Sequence, residues 1–168
     1  MNQKTLAVHK RKKKYVAGIF TSKGLYATSL PRDTREDAIA AVNGEGMPLK
    51  QSESDIRVLD IVFDLFYGQV PSDLTNIPLD FSDLTAKQIA VLKTTLTIPH
   101  GKTMTYGQVA EKSGFKGAAR FVGNVMANNR FAPIIPCHRV VGVSGMGGYS
   151  VGVDIKIALL HKEGATID

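Results

Sequence analysis

Cysteine occurs once in the 168 residues, at Cys137. A single thiol excludes an internal disulfide and a cysteine-rich zinc site, and it fits a reducing compartment. No stretch approaches the ~18 consecutive apolar residues that a membrane span requires. Residues 1–14 are polar and basic with no apolar core, so the chain is expected to be cytoplasmic, with no membrane partner. Acid is scarce in one half only: residues 1–84 hold 11 Lys and Arg against 11 Asp and Glu, whereas residues 85–168 hold 10 against 4. The formal net charge of +6 therefore comes from the half that carries Cys137. That balance suits a polyanionic partner, the plainer reading being a basic solvated face. A composition 43% hydrophobic and 21% charged is that of an ordinary soluble globular protein.

Two β-rich runs, residues 15–20 and 25–30, flank the turn Thr21-Ser22-Lys23-Gly24 and predict a hairpin. The basic run from His9 to Lys14 leads into it and reads as a solvated edge rather than a DNA contact. Asp33 and Thr34 supply a cap for a short helix over residues 35–42. Ile56, Leu59, Val62, Phe63 and Phe66 recur at helical spacing and predict a second helix over 54–67, stopped by Gly68. Residues 69–81 contain two prolines and read as a linker with at most one short strand. Thr85 is placed to cap a helix that faces Ile89, Val91, Leu92 and Leu96 inward. Thr105 caps another over 106–112, and a third is expected over 117–128. Two short helices joined by a glycine-bearing turn match a helix-turn-helix. The last helix is expected over 154–162. Residues 142–148 are glycine-rich but lack the terminal Gly-Lys-Ser/Thr of a phosphate loop, so glycine there serves close approach of backbone to a ligand. The fold class is α/β (α+β), with a small sheet-and-helix domain over 1–83 and a mostly helical domain over 84–168.

Cys137 lies in the apolar run Ile134-Ile135-Pro136-Cys137-His138-Arg139-Val140-Val141. A lone cysteine in such a run is commonly a small core hydrophobe. Pro136 fixes the backbone and biases Ile135 toward extended geometry, which predicts Cys137 at the rigid end of a buried strand. A thiol reacts as thiolate, and His138 and Arg139 could supply the base and the positive neighbourhood that it needs. Successive strand side chains point to opposite faces, so any coupling of His138 to the sulfur would run through a turn or a bridging water.

The segment Pro136-Cys137-His138-Arg139-Val140 resembles the active-site signature of the O6-alkylguanine-DNA alkyltransferases. Ile98-Pro99-x-Gly101, Tyr106, Gly117-Ala118-Ala119-Arg120-x-Val122-Gly123, Asn129, Gly148-Tyr149-Ser150 and His161-x-Glu163-Gly164 follow in the family's order. The match runs from about Leu84 to Gly164, roughly half the chain. It implies a single-turnover transfer of an alkyl group from O6 of guanine in duplex DNA to Cys137; the sequence does not decide whether O4 of thymine is also a target. No cofactor and no metal are expected, and a monomer suffices. The resemblance implies that Glu163 orients His138, which takes the Cys137 proton through a water. Arg120 would fill the space of a flipped nucleotide, with Ala119 and Gly123 beside it against DNA. Tyr106 would turn the 3′ phosphate and protonate the leaving base. Asn129 would brace the turn before Cys137, and Tyr149, Ser150 and backbone near Val140 would hold the flipped guanine. Two departures from the family pattern are visible: Arg130-Phe131-Ala132 separates Asn129 from Pro133, and Leu92 stands where an aromatic is frequent. The competing functions are a non-catalytic alkylated-DNA sensor, in which the cysteine is replaced, and a cysteine hydrolase, in which a helix-turn-helix has no purpose.

Overall fold

Leu6 and Val8 alternate with Ala7 and His9, and that period of two makes the polar start of the chain a strand, β1 (Thr5–Arg11). The sheet therefore has three strands where the sequence suggests two: β1, β2 (Lys14–Thr21) and β3 (Gly24–Thr28), antiparallel and in that order. Charge conceals β1, because only its first half carries apolar side chains. The computed structural model describes residues 3–167, and they divide into two units, 3–82 with 130–134 and 83–129 with 135–167.

In the first unit the alternation sends side chains to two helices. Leu6, Ala17, Ile19 and Ala27 meet Ala38 and Val42 on and beside α1 (Arg35–Ala41), which is capped by Thr34. The opposite face meets α2 (Glu53–Phe66), where Ser52 and Asp55 form a reciprocal capping box. Gly18 is required there: a Cβ on it would stand 2.8 Å from Leu59 Cδ2, so α2 packs directly on the strand backbone. The expected linker holds a 3₁₀ turn, Leu74–Asn76, and one bridge from Leu79 to Leu25. Residues 130–134 join this unit through Phe131, fully buried with its ring 5.4 Å from Phe81, and through the Thr28 N–H, which donates to the Arg130 carbonyl at 2.9 Å.

In the second unit α3 (Ala86–Leu96) and α4 (Tyr106–Lys112) each start with a capping box, from Thr85 with Gln88 and from Thr105 with Gln108. The next helix, α5 (Ala119–Ala127), begins two residues later than its sequence suggests, because Ala118 offers no side-chain cap. The strand β4 (Met104–Thr105) pairs in parallel with β5 (Val140–Val141), and α6 (Val153–Lys162) closes the unit. Val91, Ile98, Val109, Val122, Ile135, Leu159 and Leu160 are among its buried apolar residues. The whole is mixed α/β: small sheets and six α-helices among the described residues. Among those residues no helix is long and apolar enough to cross a membrane.

Candidate active site

Cys137 opens a turn of 3₁₀ helix, Cys137–Arg139, rather than ending a strand; the strand begins only at Val140. The turn forms because Pro136 has ψ 67 and not the extended value, so its carbonyl is free to accept from the Arg139 N–H at 2.9 Å. It places three consecutive side chains, Cys137, His138 and Arg139, all inside the protein.

The carboxylate of Glu163, at the C-terminal cap of α6, collects two of them, His138 and Arg139. It accepts from His138 Nε2 at 2.7 Å, from Arg139 Nε and Nη2 at 2.9 Å each, and from the Gly101 N–H at 3.3 Å. Burial alone would raise its pKa, but the hydrogen bonds from His138 and Arg139, with the Arg139 charge, outweigh that and hold it at about 2. An ionised Glu163 only accepts, so His138 carries its proton on Nε2. Burial lowers the His138 pKa, opposed by Glu163 and reinforced by Arg139 and Lys156, so the ring is neutral. Nδ1 is then a lone pair, buried and without a hydrogen-bond partner. Arg139, expected to lend its charge to the thiol, is spent elsewhere: besides Glu163, its Nη1 donates to the Ile98 carbonyl at 2.6 Å.

Burial raises the Cys137 pKa, while Asn129, Tyr149 and the charge of Lys156 favour the thiolate. Asn129 also donates from Nδ2 to the Ile135 carbonyl at 2.9 Å, which ties the end of α5 to the turn. Lys156 escaped the sequence reading. Its Nζ is inside the protein, donating to the carbonyls of Val140 and Met146 at 2.6 Å each and of Gly148 at 3.2 Å. Burial pulls its pKa down to about 8, against the opposing effect of the thiolate. A signal existed: Lys156, Leu159, Leu160 and Glu163 fall at i, i+3, i+4 and i+7, one helix face with a charge at each end.

The thiol faces a largely apolar cavity of about 420 Å³. Eight of the residues singled out by sequence line it: Tyr106, Ala119, Arg120, Gly123, Cys137, Gly148, Tyr149 and Ser150, joined by Met126 and Ala127. His138, Glu163 and Asn129 are not among the lining residues. Val140 does not reach the cavity, and its carbonyl accepts from Lys156. Burial, and then the Cys137 charge, raise the pKa of both Tyr106 and Tyr149, so both phenols stay protonated donors. The Tyr106 hydroxyl is 3.5 Å from the Gly148 carbonyl, too long to hold it from another acceptor. A Cβ on Gly147, which has φ +70, would stand 2.6 Å from that hydroxyl, so the loop reaches Tyr106 only through glycine. Arg120 is exposed at the second position of α5. Among the described residues no group of His, Cys, Asp and Glu could hold a metal ion.

Residues 86–165 match the profile of a family described as 6-O-methylguanine DNA methyltransferase, DNA binding domain. The methylated-DNA–protein-cysteine methyltransferase of Methanocaldococcus jannaschii is 31% identical over 153 residues, covering 89% of this chain and 87% of that protein. The enzyme of the same name from Mycobacterium tuberculosis is 49% identical over 77 residues, covering 45% of this chain and 47% of its own. A crystal structure of Mycobacterium tuberculosis OGT in complex with DNA superposes with a TM-score of 0.74 at 29% identity, covering 95% of this chain and 92% of that one.

Proposed function

Because the chain belongs to the methylated-DNA–protein-cysteine methyltransferase family, we propose that it repairs duplex DNA by moving one alkyl group from O6 of guanine to Cys137, once per molecule. What carries this reading is the pairing of a buried thiol at the cavity wall with a neutral histidine whose free Nδ1 is fixed from behind by an ionised Glu163.

The displacement forms a sulfur–carbon bond and breaks the bond from that carbon to O6. The thiol proton leaves to His138 Nδ1, through a bridging water in the scheme the residues suggest, and the resulting imidazolium is stabilised by Glu163. The bond electrons pass to the purine, which takes a proton in return. Tyr106 is the donor for that step, being a protonated phenol with no firm hydrogen-bond partner. Tyr149 and Ser150 hold the base at the cavity wall.

The target atom is inside a base stack, so the nucleotide must rotate out, and Arg120 occupies the space left behind. The helices α4 and α5 then act as a helix-turn-helix in the minor groove, with Ala119 and Gly123 close to the backbone. Binding there rests on phosphate contacts and on groove shape, which suits a search for damage in any sequence. Every group in the scheme comes from one chain, so a monomer is sufficient.

The DNA side of the reaction tests this. A duplex carrying one O6-methylguanine should be restored to guanine in an amount that plateaus at the amount of protein. Cys137→Ala should restore none while still binding the duplex. Conversion continuing past one equivalent would contradict a single-turnover transfer.

A further inference from the structure

Residues 9–14 are six consecutive basic side chains, and the β1–β2 hairpin sorts them. Those facing α2 are paired with its acids: His9 Nε2 is 3.0 Å from Asp60 Oδ1, and Arg11 Nη1 is 2.6 Å from Asp64 Oδ1 and 3.8 Å from Asp60 Oδ1. Lys14 pairs with Asp33. Lys10, Lys12 and Lys13 are exposed, and among the described residues none of them has an acidic partner. Two lie over ring faces, Lys10 Nζ 5.3 Å from the Tyr15 centroid and Lys12 Nζ 5.4 Å from that of Tyr67. The turn itself breaks a local rule. Lys12 has φ 56, in the left-handed region where glycine, asparagine or aspartate is the unstrained choice. A long cation is kept at the tip at a cost to the backbone.

We propose that this hairpin tip is a second phosphate-contacting surface, through which the first unit binds the backbone of duplex DNA. Asp60, Asp64 and Asp33 are engaged by His9, Arg11 and Lys14, so the positive charge of the three lysines is left at the tip, with Lys10 on the Tyr15 side and Lys12 on the Tyr67 side. Ammonium groups on flexible stems, exposed at a turn, contact phosphates as point charges and do not read bases. Apart from these three lysines the unit holds 9 Lys and Arg against 10 Asp and Glu, so the field is local to the tip. The inference rests on the reading of the chain as a DNA-repair protein, since that supplies the polyanion.

The test uses the full chain, with binding to an undamaged duplex measured by anisotropy across a salt series. In the triple variant Lys10→Gln/Lys12→Gln/Lys13→Gln the log–log slope should be shallower by about 2.7, at ~0.9 per phosphate contact. The ratio of unsubstituted to variant affinity should then shrink roughly 40-fold between about 50 and 200 mM salt. Reaction with the free O6-methylguanine base, which has no phosphate, should proceed equally in both proteins. Lys12→Gly should lower the slope by about 0.9 while raising the thermal midpoint, and Lys12→Arg should keep the slope. Equal slopes in all variants overturn the proposal, as does a Lys12→Gly protein that gains only stability. So does a triple variant that loses binding to phosphatidylserine vesicles but keeps its DNA slope. Stoichiometric repair by the unsubstituted chain, measured on the same preparation, tests the repair reading separately.

Discussion

Replacing Glu163 with glutamine keeps the shape of the buried cluster and removes its negative charge, leaving the Arg139 guanidinium inside the protein without a counter-ion. The Glu163 pKa falls from an ordinary 4.5 to about 2, which corresponds to about 3 kcal/mol of folding stability at 1.36 kcal/mol per pH unit. The side chain is 2% exposed, so solvent screening takes little from that figure. It agrees with the roughly 3–5 kcal/mol cost of breaking a buried ion pair by removing one partner. A carboxyl with a depressed folded pKa contributes stability that is complete above its unfolded pKa and is lost as pH falls through the folded value. The Glu163→Gln variant should therefore be less stable than the unsubstituted chain by about 3 kcal/mol at pH 7 and by only about 1 kcal/mol at pH 3. Urea unfolding of both proteins, followed by circular dichroism at several pH values, measures the gap. Transfer from duplex DNA should also slow about 10²-fold, the low end of a general-base contribution, because His138 loses the partner that fixes its tautomer. A stability gap that is constant from pH 7 to pH 3 would refute the ionised, hydrogen-bonded carboxylate on which the relay depends.

Arg120→Ala should slow repair of duplex DNA far more than reaction with the free alkylated base, because only the duplex has a stack to leave; that extrusion costs a few kcal/mol. Equal losses on the two substrates, measured as single-turnover rates, would move Arg120 from extrusion to chemistry or folding. Lys156→Met should destabilise the chain by about 2–4 kcal/mol, since three carbonyls lose one charged donor. It should also make residues 142–152 more open to proteolysis. A cost below about 1 kcal/mol would mean that water replaces the ammonium at all three sites.

The helices were legible where a side chain closes their first turn: Thr34, Thr85 and Thr105 each mark a start that the structure keeps. Where no cap exists, at α5, the boundary slipped. The strand β1 was hidden because pairing with β2, and the acids of α2, stabilise a run whose own composition reads as solvent-facing. The residues of the site were named from their types and order, but their arrangement was not. Whether Pro136 leads into a strand or a 3₁₀ turn depends on one backbone angle that the residue type does not fix. That angle decides that His138 and Arg139 both point inward, to the same carboxylate. Lys156 was missed because a lysine in a helix is ordinarily solvated, and only the Val140 carbonyl of β5 together with the Met146 and Gly148 carbonyls of the glycine-rich loop makes its burial tolerable.

The central claim is that Cys137 itself receives the alkyl group. Mass spectrometry of the digested protein after reaction with an O6-methylguanine duplex tests it most directly. The peptide that contains Cys137 should gain the mass of one methyl group in place of the thiol hydrogen, in proportion to the guanine restored, with no other peptide changed. Restored guanine alongside an unmodified Cys137, or a methyl group found on another residue, would contradict the account.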